Sequence, residues 1–253
     1  MIPRILSACL LLLLPFAALA QVKTAPVETY PEGPQAGHDL VADILSRRPA
    51  ENARWNGILR IYGRSQPVFV PVTCETVLSE TNWSVSYQTA AAGDLPAEKL
   101  TVVFCPNQPN QYYYSRSEKP GMPLGPPKNL TADEADIPLG GSDFWLSDLA
   151  FEFYHWPVQI RQKGQMQRSR PCFVIESLRT NAPAGAYARV ITWVDKESSA
   201  PLQASAYGAD KKIIKDFEIG SIEKVNGRYQ VKDLKMFNRR THSRTELEFD
   251  LDK

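Results

Sequence analysis

Trp83-Ser84-Val85-Ser86-Tyr87-Gln88 alternates bulky apolar side chains with small or polar ones. A period of two is the period at which side chains change faces along a strand, so this stretch reads as a strand with one side buried. Working outward, runs at 57–62, 67–72 and 100–105 read as strands around it. The same holds for 151–156, 172–178, 187–194, 202–207, 213–219, 229–237 and 243–251. Turn chemistry separates several of them. Asn226-Gly227 is the strongest hairpin signal, because both residues tolerate positive φ. Residues 196–201 and 208–210 are further turns. The last six runs follow one another closely, as in an antiparallel meander. Pro120 to Pro127 holds four prolines and two glycines and reads as a surface loop.

Two segments break the strand pattern. Residues 38–47 place apolar side chains at 40, 41, 44 and 45, one face of a helix, which Pro49 stops. Farther on, Ser142 or Asp143 can cap a short helix, with Phe144, Trp145 and Leu149 on one apolar face. The fold class expected is therefore mainly β (α+β): an antiparallel sheet with a few helices.

The first twenty residues have a different composition. Arg4 is followed by an apolar run through Leu10 to Leu14, and the segment ends Ala18-Leu19-Ala20. A positive start, a short apolar core and a small-residue site read as a secretory signal peptide, 1–20. The run is short of the roughly 20 residues a membrane span wants, and it contains Pro15. Residues 21–37, with Pro26, Pro31 and Pro34, read as an extended linker, and 38–253 as a single domain. Removal of 1–20 would leave 233 residues with 28 basic and 28 acidic side chains. That balance gives no support to nucleic-acid binding. The expectation is an exported protein, most simply periplasmic and monomeric.

Chemistry-bearing constellations are few. Cys74, Cys105 and Cys172 remain after the signal, so at most one internal bridge can form. Cys74 with Cys105 is one possible disulfide, and buried unpaired thiols are the alternative. No C-x-x-C, H-E-x-x-H, G-x-S-x-G, P-loop or G-x-G-x-x-G occurs, so no metal or cofactor is expected. Cys172, His155 and Asp148 can be written as a nucleophilic device. However, His155 alternates with Phe151 and Phe153 on an expected strand, and Cys172 opens another, which reads as packing. No enzyme is expected. Ten Tyr, ten Phe and five Trp are spread along the chain, most of them in the strand-rich part. They suit either a packed core or a curved sheet around an apolar pocket.

Several stretches resemble LolA-like outer-membrane lipoprotein-sorting proteins. They are the helix 38–47, Trp55-Asn56-Gly57, Gly141-Ser142-Asp143-Phe144 with Ser147-Asp148-Leu149, and Trp193-Val194-Asp195. Tyr207 to Lys212 leading to Phe217-Glu218, and Ser243-Arg244-Thr245-Glu246-Leu247, complete the set. The resemblance spans roughly 37–251. It implies a curved, incomplete antiparallel β-barrel of LolA/LolB type around an apolar cavity, with a few covering helices. It also implies a carrier for lipoprotein acyl chains or another lipid, with membrane partner proteins at either end. On that fold, 38–47 and 142–149 would be lid elements. The candidate lining is Trp83, Val85 and Tyr87 on one strand and Ile191 with Trp193 on another, with Phe144, Trp145 and Leu149 as the lid. The alternative is a structural or sensor module of the envelope with a filled core.

Overall fold

The alternation around Trp83 extends through one 13-stranded sheet in a computed structural model. The structure describes residues 30–63, 66–106, 108–225 and 228–251, without the side chains of 224, 225, 228 and 229. Residues 1–20, most of 21–37 and the Asn226-Gly227 turn thus lie wholly or partly outside the described residues. Helix α1 (Pro34–Ser46) comes first. It is followed by β1 (Ala53–Tyr62), β2 (Val68–Leu78), β3 (Trp83–Thr89), β4 (Glu98–Phe104), β5 (Gln111–Arg116) and β6 (Lys128–Leu130). A non-strand segment carries α2 (Leu146–Leu149) and a 3-10 turn, Glu152–His155. Then come β7 (Val158–Gln167), β8 (Arg170–Leu178), β9 (Arg189–Asp195) and β10 (Pro201–Tyr207). The chain closes with β11 (Ile213–Val225), β12 (Arg228–Asn238) and β13 (Ser243–Asp250).

The strand order is β6-β5-β4-β3-β2-β1-β13-β12-β11-β10-β9-β8-β7, so the chain makes two meanders joined where β1 pairs β13. The final six expected runs are β8 to β13, in meander order as read from the sequence. A sheet this wide curls under its own twist. It stays open: β6 and β7 are its two edges. The strands flanking Asn226-Gly227 pair down to Val225↔Arg228.

The concave face forms the core. Leu59, Val70, Leu100, Val102, Val190, Val194 and Leu247 each lie under 2 % exposed. Register places Trp83, Val85 and Tyr87 opposite Phe104, Val102 and Leu100, so the face inferred for β3 is the concave one. The face inferred for β9 is not. Val190, Thr192 and Val194 point inward, and Ile191 and Trp193 stand half-buried on the other side of the strand. Trp193 there donates its indole N–H to Gln165 Oε1 at 2.9 Å.

The segment 135–156 crosses the concave face and fills it. Phe144 is 1 % exposed and Leu146 is fully buried, and burial of such side chains stabilises by about 1.5–3 kcal/mol each. Four strands pin the segment. The Gly140 N–H donates to Glu98 Oε2 of β4 at 2.7 Å, and the Asp143 carboxylate accepts from Ser243 and Thr245 of β13 at 2.6 and 2.9 Å. Tyr112 of β5 donates its hydroxyl to Glu152 Oε2 at 2.5 Å. Lys215 of β11 lies 3.2 Å from Asp148 Oδ2. The expected lid residues Phe144, Trp145 and Leu149 are therefore part of a packed plug, and a gap of only about 20 Å³ remains where Asp148, Phe151 and Phe153 meet β9 to β12. Ser142 and Asp143 do not cap α2. Asp148 does so from within, accepting the Trp145 N–H at 2.8 Å.

The run 151–156 is a second correction. It forms a 3-10 turn instead of a strand, because Phe151 sits at φ 49° and reverses the chain. The three cysteines are free. Cys74 (β2) faces Tyr87 (β3), which faces Leu100 (β4), and Cys105 lies five residues beyond Leu100. Two strand spacings alone put them about 9.5 Å apart, past the roughly 7 Å limit for a bridge.

The β9–β10 turn carries an acid-sensitive link. Fully buried Asp195 accepts two bonds from Arg170, at 2.8 and 2.9 Å, and two more from the Ser198 N–H and hydroxyl, at 2.9 and 2.6 Å. Burial opposes its ionisation, but these donors outweigh burial and hold its pKa at about 2. A carboxylate held below its unfolded value of about 3.9 contributes stability that is present above that pH and lost as pH falls towards 2. Asp195→Asn is expected to flatten the acid limb of the stability profile between about pH 4 and pH 2. Urea midpoints measured across that window test it; an unchanged limb would contradict it.

Candidate functional site

Helix α1 begins four residues earlier than its apolar pattern indicates, at Pro34 instead of 38. The reason is local. Gly33, at φ 105°, turns the chain into the helix and exchanges two backbone hydrogen bonds with Arg161 of β7, 2.8 and 3.0 Å. Pro34 then occupies a position where a missing N–H is harmless. At Gly37 the helix backbone rests on β7: a Cβ there would meet the Gln159 carbonyl oxygen at 2.4 Å. The far end is held by Arg48, which donates to the carbonyl oxygens of Ser79, Glu80 and Asn82 in the β2–β3 turn. Its guanidinium also lies 5.9 Å from the Trp83 ring centroid. Helix α1 is thus a strap from the edge strand β7 to the β2–β3 turn.

Beneath this strap lies an open cleft of about 480 Å³. Val41, Ile44 and Leu45 of α1 form its roof, Trp83 and Phe104 one wall, and Ala150, Phe151, Tyr154 and Trp156 the other. Trp83 and Phe104 stack at 5.4 Å. Phe151 packs edge-on against Phe153 and Phe217 at 5.9 Å each. Its left-handed backbone is unusual for a bulky residue, a conformation of about 1–3 kcal/mol that surrounding contacts must hold in place. Gln159 supplies that hold. Almost fully buried, it donates to the carbonyls of Phe153, Tyr154 and Trp156 at 2.9, 3.3 and 3.1 Å and accepts from Ser177 at 2.7 Å.

The rim is polar. His38, Arg47, Gln108, Asn110 and His155 all reach it. Arg47 is paired with Asp43 at 2.8 Å. Asn110 donates to Glu152 Oε2 at 3.1 Å. Burial raises the Glu152 carboxyl above the usual range, against the lowering effect of Tyr112 and Asn110. Burial lowers His155.

Of the residues expected from the sequence to line a cavity, Trp83 lines this cleft; Tyr87 packs against the core and Val85 shares their face. The apolar face 40, 41, 44 and 45 of α1 contributes three residues to the roof. Phe104, Phe151, Tyr154 and Trp156 line the cleft beyond the residues expected, and the aromatic density of 151–156 is the sequence signal for three of them. Among the described residues, no group of acidic, His and Cys side chains is arranged to hold a metal ion. Cys172, His155 and Asp148 share no hydrogen bond. Cys172 is bonded to the Arg170 carbonyl, and Asp148 to Trp145, Tyr187 and Lys215.

Three solved bacterial structures share this architecture. A putative outer membrane lipoprotein-sorting protein domain from Vibrio parahaemolyticus superposes with TM-score 0.68 at 15% identity, covering 86% of this chain and 91% of that one. A DUF1329 family protein from Desulfovibrio piger gives 0.67 at 14%, covering 85% and 90%. A LolA superfamily protein from Nitrosomonas europaea gives 0.55 at 14%, covering 87% and 92%. A family model described as "-like: Uncharacterized protein" matches residues 122–251, just over half of the chain. The chain belongs to this family, and its fold is LolA-like. The sequence matches no curated protein. In this LolA-like chain the family match takes in the plug and β7 to β13, and stops short of α1 and the Trp83–Phe104 wall.

Proposed function

We propose that this LolA-like protein binds an apolar, chain-like ligand, a lipoprotein acyl chain or another lipid, in the cleft beneath α1. The observation that carries this is the cleft itself: about 480 Å³, aliphatic above, aromatic on both walls, with polar side chains at its rim and the buried Gln159 amide committed to backbone carbonyls. That size and make-up suit a small-molecule site, which typically spans about 300–1,000 Å³. The lipoprotein-sorting name of one structural neighbour and the LolA superfamily name of another support the same class of ligand. The signal-peptide character of 1–20 supports action outside the cytoplasm, in a periplasm, as a carrier between membrane partners. The chemistry needed is burial alone, with no catalytic step.

A second reading, a structural or sensor module, is favoured by the plug, whose Phe144, Leu146 and Leu149 are buried in the core of the concave face. Native mass spectrometry of the purified protein, followed by solvent extraction, separates the two. The carrier reading expects a bound lipid, or uptake of an added fluorescent acyl probe with one-to-one stoichiometry. A protein that neither carries lipid nor takes up the probe contradicts it.

A further inference from the structure

Six buried side-chain polar atoms make no well-formed hydrogen bond among the described residues, and one of them, His155 Nε2, belongs to a residue that lines the cleft. Two more, Tyr154 Oη and Thr192 Oγ1, face each other. Tyr154 and His155 belong to the 3-10 turn that walls the cleft, and Thr192 lies inward on β9 beside Tyr154. The other three belong to Arg60, Asp233 and Arg244, charged residues of other strands. Orphaned buried polar atoms are rare and call for a partner. An unpartnered imidazole nitrogen on a residue lining a largely apolar cleft points to a ligand with a polar end.

His155 is the group placed to meet that end. Its ring is half-buried at the cleft rim, and a half-turn about Cβ–Cγ exchanges the two edges of the ring, so that its nitrogens take the places of its carbons. Burial favours the neutral imidazole, which offers one donor and one acceptor. The guanidinium at the same rim is committed to Asp43 and to the Ser198 carbonyl. A carboxylate entering beside a neutral imidazole would lose water without gaining a counter-charge. A carbonyl or hydroxyl would lose less and gain a hydrogen bond.

We infer that His155 is the specificity-determining contact of the cleft and that it selects acyl chains ending in an ester or amide, or in a neutral alcohol, over free fatty acids. This rests on the reading of the cleft as a lipid site. The test compares 1-monopalmitoylglycerol with palmitate at pH 8, each displacing a fluorescent apolar dye, for wild type, His155→Phe and His155→Gln. Wild type is expected to bind the ester at least about tenfold more tightly than the acid. His155→Phe should reduce that preference to within about twofold, and His155→Gln, which keeps a neutral donor and acceptor, should restore part of it. Urea midpoints confirm that the variants are folded. If wild type binds both probes equally, or if His155→Phe keeps the full preference, the inference is overturned and the lipid site stands. If neither probe displaces the dye, both fall.

Discussion

Replacing Lys215 with Met is expected to lower the unfolding free energy by about 3–5 kcal/mol. Lys215 is 2 % exposed and its partner Asp148 9 %. The ammonium sits 3.7 Å from the Trp145 ring centroid, and Trp145 stacks on Tyr187 at 4.5 Å. Tyr187 donates its hydroxyl to the same Asp148 oxygen at 3.3 Å. Burial pushes the Asp148 carboxyl up and the Lys215 amine down, both towards the uncharged form, and each partner's charge works against that push. Deleting the amine strands a buried carboxylate, which is the expensive half of breaking such a pair. Asp148→Asn in the same chain removes the stranded charge while keeping an acceptor for the Trp145 N–H. The double variant is therefore expected to recover most of the loss. Urea unfolding followed by circular dichroism measures both; a single-variant loss below about 1 kcal/mol would show that the pair does not anchor the plug.

The largest expected effect on binding comes from filling the cleft. Ala42 is exposed on α1 and lines the cleft without contributing to the core. Ala42→Trp places an indole in the space under the strap. Affinity for an acyl probe is expected to fall at least tenfold. Stability should change by no more than about 0.5 kcal/mol, since the substitution removes no buried contact. A fluorescence titration and a melting curve on the same sample check both parts. Retained affinity would place the ligand elsewhere.

Much of the sheet is legible in the sequence because half-buried strands write their faces as alternation. Trp83, Val85 and Tyr87 show it, and so does the meander from 172 onward. On β9 the same rule is ambiguous. Ile191 and Trp193 are bulkier than Val190, Thr192 and Val194, yet the smaller set is inside, where Tyr154 and the plug leave little room. Strand β7 carries Gln, Arg and Lys along an open edge, so it lacks an apolar alternation to read. The aromatic run at 151–156 alternates like a strand, but its shape is set from outside by Gln159 of β7 capturing its carbonyls. The apolar face of α1 is visible at 40, 41, 44 and 45. What that face covers depends on Gly37 and Arg48 fixing the two ends of the helix, a tertiary matter. Asp148 illustrates the same limit: its spacing from Trp145 suggests a cap, and nothing in the sequence announces the lysine 67 residues later that meets it.

The most direct test of the central claim is to photolabel the protein with a diazirine-bearing fatty acyl ester and map the adducts by peptide mass spectrometry. Adducts on 38–47, Trp83, Phe104 and 150–156, suppressed by Ala42→Trp, are the result expected for a lipid held beneath α1. Adducts confined to the convex face, or spread evenly and unaffected by Ala42→Trp, would contradict it.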